Sequence, residues 1–358
     1  MVCTRTNLIL HHGRIYPMLF AIPITMEDEI MTQSSFITLQ HASKSFGDEV
    51  IFKHVQAQLS KGEILSIVGP SGSGKTTLLR CLAGLEPFSE GDFIIDNQNV
   101  TKLTANKRPV SLVFQQALLF PHMTILDNVA YGLTFQKIKK EERGKQAQEF
   151  IEKVGLKGYE KSFPHELSGG QQQRVSLARS LAISPDLILL DEPFSSLDPK
   201  LRHEMRDWVR KLLKSQQMTA IFVTHDREEA MQMGDRVGVF HDGVFQQIGT
   251  PQDVYRSPVN PFVATFFSDC LVLDGRKYVP VSHLYISKNT SSDAYLQLEA
   301  IVQNQVFIHG ETFYQLWIES MGKRITLPSS LSLHEGGNVT IMANAEAVQL
   351  FPEVEIKE

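Results

Sequence analysis

The stretch "ILSIVGPSGSGKTTLLRCLAGL", residues 64 to 85, constrains the architecture more than any other in the chain. Ile64, Leu65, Ile67 and Val68 form a short apolar run of the kind buried on both faces of a parallel sheet. Leu78, Leu79 and Leu82 follow at helical spacing, with Cys81 among them as a core residue. Between strand and helix, Gly69, Pro70, Ser71, Gly72, Ser73, Gly74, Lys75 and Thr76 fit the pattern G-x-x-x-x-G-K-[ST] in the context it requires. Glycines let backbone amides curl around phosphate oxygens, and the helix N-terminus adds partial positive charge. Lys75 is expected to reach the β and γ phosphates of a nucleotide, and the Thr76 hydroxyl to hold Mg²⁺. As a plain glycine turn the segment would leave a lysine without purpose at the mouth of a strand.

At 358 residues the chain is long enough for one large domain and a smaller one. Its net charge is −5, and acidic and basic residues are interspersed without like-charge blocks, so no nucleic-acid surface is expected. Cys3, Cys81 and Cys270 are too few and too distant for a disulfide framework or zinc site, which fits a reducing cytoplasm. No apolar run is long enough to cross a bilayer. The nearest candidate, "IYPMLFAIPIT" at residues 15–25, follows Arg5 and Arg14 in the manner of a secretion signal. Two prolines interrupt it, and no small-residue cleavage site follows. Residues 1–34 therefore read as a poorly ordered extension, or as the product of an upstream start with Met31 as the true one.

A second group of motifs lies about a hundred residues on. "DLILLDEP", residues 186–193, is a buried strand, Leu187 to Leu190, that ends in two acids. Carboxylates at the C-terminal edge of an α/β sheet face the crevice where ligands bind. Asp191 suits a Mg²⁺ shell, and Glu192 is placed to take a proton from an attacking water. Paired acids at a strand end are also what a solvated turn looks like; after a phosphate loop, they favour function. In "LSGGQQQRVSLARSLA", Val175, Leu177, Ala178 and Leu181 give helical spacing, so Ser168, Gly169 and Gly170 fall at a helix N-terminus. A serine, bare glycine amides and the helix dipole make a second anion site there, with Gln171 in the first turn.

The order of the phosphate loop, "VFQQ", "LSGGQ", "LILLDEP", "SSLD" and "VTHD" from residue 35 to 265 resembles the ATP-binding cassette family of transport ATPases. The resemblance implies an α/β P-loop NTPase: a RecA-like core with antiparallel β and helical subdomains, spanning 35–268, the helical part near 115–177. It implies a homodimer in which the phosphate loop of one copy and Ser168 to Gly170 of the other close on one ATP. Carried onto this sequence, Phe46 stacks on adenine, Thr77 continues the nucleotide contacts and Gln171 adds to the signature site. Gln115 touches Mg²⁺ and the water, Asp191 holds the metal shell and Glu192 is the general base. Asp198 couples the two sites, and His225 contacts the γ phosphate.

Between these motifs, Ala147, Phe150, Ile151 and Val154 form one apolar helical stripe, which reads as core. "LLFPHMTILDNVAYGL" resembles the region where a membrane partner docks; His122 within it reads as packing or surface. Leu201, Met205, Trp208, Val209 and Leu212 mark another core face, with His203 exposed. "RVGVFHDGVFQQIG" reads as a hairpin turning at Asp242 and Gly243. Beyond residue 268 the pattern becomes short β runs with turns at Asn289 to Asp293, Gly310, Met321 to Lys323 and Glu335 to Gly337, predicting a small β barrel over 269–358. That tail resembles the TOBE-like, oligomer-forming barrel of importer ATPases for maltose, polyamines, ferric iron, sulfate or molybdate. "SDCLVLDG" departs from it. The implied protein is a peripheral ATPase on the cytoplasmic face of the cell membrane, beneath two transmembrane permease subunits and indirectly served by a solute-binding protein. Its solute could be ferric iron, a polyamine, a sugar or an oxyanion. The alternative is a soluble cassette ATPase acting in nucleic-acid or ribosome processes, which would be expected to carry two cassettes, zinc-type Cys pairs or a coiled coil.

Overall fold

The structure, a computed structural model, describes residues 8–11, 14–17, 35–195, 197–287, 295–308 and 310–352. The turn expected at Asn289 to Asp293 and most of the expected extension over 1–34 lie outside them. Two compact units are present, Met1–Ser35 and Phe36–Glu358. In the first, β1 (Leu8–His11) and β2 (Arg14–Pro17) pair antiparallel.

The second unit begins with two sheets and a helical layer and ends in two further sheets. β3 (Ile37–Phe46), β4 (Glu49–Leu59), β6 (Glu90–Ile95) and β7 (Gln98–Asn99) make an antiparallel sheet in the order β4-β3-β6-β7. The larger sheet has the order β12-β11-β5-β10-β9-β8. It comprises β5 (Ile64–Val68), β8 (Val110–Val113), β9 (Leu187–Asp191), β10 (Thr219–Thr224), β11 (Arg236–His241) and β12 (Val244–Gly249). All its pairings are parallel except β11 with β12. That pair is the expected hairpin: Asp242 and Gly243 sit at φ 50° and 72°, the left-handed pair that a two-residue turn of this twist requires.

Every residue of β5 and β10 is buried, which explains their largely apolar sequence, broken only by Ser66, Thr219 and Thr224. Side chains alternate between two cores as a period-2 strand demands. Ile64, Ile188, Leu190, Ala220 and Phe222 enter one core, shared with α2 (Ile125–Ala130), α3 (Lys140–Lys153), α4 (Gly169–Ala182) and α5 (Pro199–Ser215). Leu65, Ile67, Leu187, Leu189, Ile221 and Val223 enter the other, against the antiparallel sheet and α1 (Lys75–Ala83). Cys81 is fully buried there, and burial pushes its thiol up to about 11, so it is packing and not a nucleophile.

The Ala147, Phe150, Ile151 and Val154 stripe is buried as its spacing predicts. On α5 the observed core face is Met205, Val209, Leu212 and Leu213; Leu201 and Trp208 only pack at its margin, and Arg206 is buried instead. His203 and His122 are exposed. After α6 (Arg227–Met233), α7 (Pro251–Arg256) and α8 (Pro261–Phe266), the chain enters its β-rich tail.

In the tail β13 (Cys270–Val272), β14 (Lys277–Pro280) and β20 (Gln349–Leu350) form one antiparallel sheet. β15 (Tyr285–Ser287), β16 (Leu296–Ile308), β17 (Glu311–Ile318), β18 (Lys323–Pro328) and β19 (Asn338–Ala343) form another. Leu271 and Val279 of the first share a core with Val302, Leu316 and Ile341 of the second. Tyr314, Leu316 and Ile318 point inward as their alternation with Gln315 and Trp317 requires. "YVPVSHLYI" reads as one run, but Pro280 closes β14 and a 3₁₀ turn, Val281–His283, redirects the chain into the second sheet.

Candidate active site

Parallel register collects the site. Val68 lies opposite Thr224 and Val223 opposite Asp191, so β5, β9 and β10 end at one edge of the sheet. Val113 lies opposite Leu190, which brings Gln115 to the same edge two residues after β8. The phosphate loop, the two acids, His225 and Gln115 therefore converge before any side-chain contact is considered.

The loop from Gly69 to Gly74 is possible only with glycine at its bends. Gly72 and Gly74 sit at φ 82° and 98°, and a Cβ at Gly69 would run into the Phe240 carbonyl. Gly74 caps α1, so Lys75, Thr76 and Thr77 form its first turn. The Lys75 ammonium folds back over the loop, donating to the carbonyls of Gly69 at 2.8 Å and Pro70 at 2.7 Å, and to Ser73 Oγ at 3.4 Å. Burial lowers its pKa; the negative charges of Glu192 and Asp191 pull it back up. Pro70 and Ser71 lie between, with Ser71 exposed on the rim.

Thr76 Oγ1 donates to Asp191 Oδ1 at 3.3 Å, joining the two proposed metal ligands across α1 and β9. Burial raises the Asp191 pKa, the Thr76 hydrogen bond opposing it, and the neighbouring Glu192 raises it further. A carboxylate with an adjacent hydroxyl, set at the foot of a phosphate loop, is a donor set fit for a hard cation with oxygen ligands. Glu192 takes a left-handed conformation, φ 44°, with its amide donating to Val223 O at 3.0 Å. The twist directs its carboxylate toward His225, whose Nδ1 lies 3.2 Å from Glu192 Oε1. Gln115 Nε2 donates to Ser195 Oγ at 2.9 Å, and that hydroxyl donates to the Glu192 carbonyl at 2.9 Å. Glu192 is thus gripped at both its carboxylate and its carbonyl.

Phe46 is half exposed at the tip of the β3–β4 hairpin, with Lys44 Nζ 4.4 Å from its ring centroid. That hairpin passes the phosphate loop through Ile51, which a Cβ at Gly74 would approach to 3.2 Å. An aromatic ring half exposed on the hairpin that passes the loop can accept a base on the face that Lys44 leaves uncovered.

The other proposed contacts stand apart. Ser168 caps α4: its Oγ accepts from Gln171 N at 3.4 Å and Gln171 Oε1 accepts from Ser168 N at 2.9 Å, a reciprocal capping box. Gly170 is held close, since a Cβ there would press on Leu201, whereas Gly169 faces open space. Among the described residues Ser168 to Gln171 make no hydrogen bond to the phosphate loop. Asp198 caps α5 by accepting from Leu201 N at 3.1 Å.

Two residues at the site were given no role by the sequence, although Ser195 opens the "SSLD" motif. Ser195 connects Gln115 to Glu192, as described. Gln173, buried on α4, donates to the Gln115 carbonyl at 2.6 Å and so ties the helix begun by Ser168 to the loop carrying Gln115. Its place in a triple-glutamine run gave no sign that it points inward.

A profile of the ABC transporter family matches residues 52–195. The sulfate/thiosulfate import ATP-binding protein CysA of Nocardia farcinica is 44% identical over 244 residues, 68% of this chain and 74% of that protein. The chain belongs to the ABC transporter family. The Fe(3+) ions import ATP-binding protein FbpC of Fusobacterium nucleatum subsp. nucleatum is 35% identical over 350 residues, covering 88% of this chain and 93% of that one. An overlap of that length extends beyond the cassette into the C-terminal sheets. Among solved structures, the dimeric post-hydrolysis state of the ATP-binding cassette MJ0796 bound to ADP and Pi superposes with TM-score 0.53 at 34% identity, over 60% of this chain and 98% of that one. The cbiO1 structure from Clostridium perfringens, part of the ABC transporter complex cbiONQ, gives 0.58 at 26% identity over 62% and 91%. As an ABC ATPase this cassette binds and hydrolyses ATP.

Proposed function

We propose that the protein drives solute import from the cytoplasmic face of the cell membrane, as a homodimer beneath two transmembrane permease subunits, with a solute-binding protein acting on their far side. ATP enters with Mg²⁺. Lys75 and the loop amides from Gly69 to Thr77, Pro70 excepted since it has no N–H, bind its phosphates, Phe46 carries the adenine, and Thr76, Asp191 and Gln115 would hold the metal ion. That cation would supply neutralisation of charge on the phosphates. Glu192 accepts the proton of the attacking water, and His225, on the same carboxylate, keeps that geometry and reaches the γ phosphate. The C-terminal sheets serve as a TOBE-like oligomer-forming domain.

One observation carries this reading: the residues for binding and cleaving ATP converge in one chain, while Ser168 to Gln171, at the head of α4, make no hydrogen bond to the phosphate loop among the described residues, although the same helix reaches the Gln115 carbonyl through Gln173. A second copy, reversed, supplies that helix end to the site. Relatives that import sulfate or thiosulfate and ferric ions support import as the direction of transport without choosing a solute.

The arrangement can be tested by mixing disabled subunits. Lys75→Ala and Ser168→Arg chains are each expected to be inactive alone. A mixed dimer contains one site with an intact phosphate loop facing an intact Ser168, so ATPase activity should reappear on coexpression. Absence of recovery, with mixed dimers demonstrated by differential tagging, would refute the shared site.

A further inference from the structure

We propose that Arg202 is a positioning residue: it ties the loop of Ser195 to Asp198 to the turn that bears His225, acting through the buried carboxylate of Glu229. This rests on the roles given above to Glu192 and His225.

On one side is the His225 turn. Thr224 Oγ1 donates to Glu229 Oε2 at 2.7 Å, Asp226 N donates to Thr224 Oγ1 at 3.0 Å, and Glu229 N donates to Asp226 Oδ1 at 3.0 Å. Thr224, Asp226 and Glu229 thus close a ring of hydrogen bonds around the backbone of His225, with Glu229 at its base. Glu229 is 4% exposed. A carboxylate so buried needs charge opposite it as well as a hydroxyl. Arg202 supplies it across a charge contact without a hydrogen bond, its Nε 4.0 Å from Glu229 Oε1, and the buried Arg206 adds its charge nearby.

On the other side is the loop. Arg202 Nη2 donates to the carbonyls of Leu197 at 3.1 Å and Ser195 at 3.4 Å. Ser195 in turn holds Gln115 and the Glu192 carbonyl. One guanidinium therefore stands between the two groups that grip Glu192, Ser195 at its backbone and His225 at its carboxylate. Displacing the loop drags Arg202, and through Glu229 and Thr224 it displaces His225. The guanidinium spreads its charge, so Nη2 bonds both carbonyls while Nε faces the carboxylate, an arrangement that a compact ammonium does not reproduce.

The alternative is a plain staple between α5 and α6, and the two separate on kinetics. Full-length Arg202→Ala, Arg202→Lys, Glu229→Gln and the double variant Arg202→Ala/Glu229→Gln would be assayed for kcat, KM for ATP and thermal midpoint. Glu229→Gln keeps an acceptor for Thr224 and removes only the charge facing Arg202. We expect each alanine or glutamine change to lower kcat about tenfold with KM within about twofold, and the double variant to be no slower than the slower single one, as for members of one network. Arg202→Lys should recover thermal stability but only part of kcat. Additive losses, or a lowered midpoint with kcat per folded molecule unchanged, would overturn the proposal and leave a staple. Glu192→Gln in the same assay keeps the two readings separate: if that variant turns over normally, the base assignment fails whatever Arg202 does.

Discussion

At the scale of single residues the chemistry is concentrated in two adjacent acids with opposite demands. On the proposed function Glu192 takes the proton of the attacking water, so Glu192→Gln is expected to lower kcat by about 10²–10⁴-fold while ATP binding persists, read by steady-state phosphate release beside equilibrium nucleotide binding. Asp191 carries a cost. Burial raises its folded pKa above the ordinary carboxylate value, so its contribution to stability is complete below that ordinary value and is lost as pH rises through the raised one. At neutral pH the ionised Asp191 therefore destabilises the nucleotide-free protein. Asp191→Asn should melt higher than the native chain at pH 7, with the gain shrinking as pH falls into the carboxylate range, and should lose Mg²⁺-dependent ATP turnover. Melting curves across pH with and without Mg²⁺ and ATP check both; an unchanged or lower midpoint at pH 7 would contradict the electrostatic account. Residues such as Lys75, Asp191 and Glu192 were legible because each sits at a fixed offset from a strand end. Ser195, Gln173 and Arg202 were not. They act on backbone carbonyls, and a carbonyl exists at every position, so sequence spacing carries no trace of which one is used.

At the scale of elements, the helix starts divide into those that serve only the helix and those asked to do more. Asp198 caps α5. Losing such a cap costs about 1 kcal/mol, and asparagine caps nearly as well as aspartate. Asp198→Ala is thus expected to lower stability by about that amount, whereas Asp198→Asn should not. If Asp198 also couples two ATP sites, Asp198→Asn will still reduce ATPase activity in the dimer; denaturant unfolding and turnover on the same samples distinguish cap from coupler. At the phosphate loop the constraint is steric, since a Cβ at Gly69 has the Phe240 carbonyl in its way. Gly69→Ala should displace the loop and weaken ATP binding more than Gly72→Ala, whose added Cβ meets open space and only backbone strain. Elements were easiest to read where periodicity was strong, as in β5, α3 and α4. Reading was weaker where a tertiary partner decided the outcome. Arg206 replaced an apolar residue in the α5 core because a buried Glu229 requires charge near it, and β14 and β15 separated because the second sheet begins after Pro280.

At the scale of the molecule, one chain holds a site open on the side where Ser168 would be needed, and α4 joins that end to the Gln115 loop of its own site through Gln173. Whatever closes on Ser168 is therefore connected, by one buried side chain little more than a helical turn away, to the glutamine proposed to face the water. In a head-to-tail pair, ATP bound at one interface would then press on the catalytic loop of the other and speed its turnover without being required for it. A chain that binds ATP but cannot cleave it isolates the closing step. Glu192→Gln truncated after residue 268, so that the proposed oligomer-forming sheets cannot hold two copies together, and purified without nucleotide, is expected to shift to twice the monomer mass on adding Mg²⁺ and ATP, measured by light scattering. Adding Ser168→Arg to it places a bulky cation where an open glycine face and a helix N-terminus should meet phosphate, and should return the mass to that of the nucleotide-free protein, although Lys75 and its loop are untouched. Were the ATP-dependent mass increase to survive Ser168→Arg, association would have to come from a surface other than the Ser168 helix end.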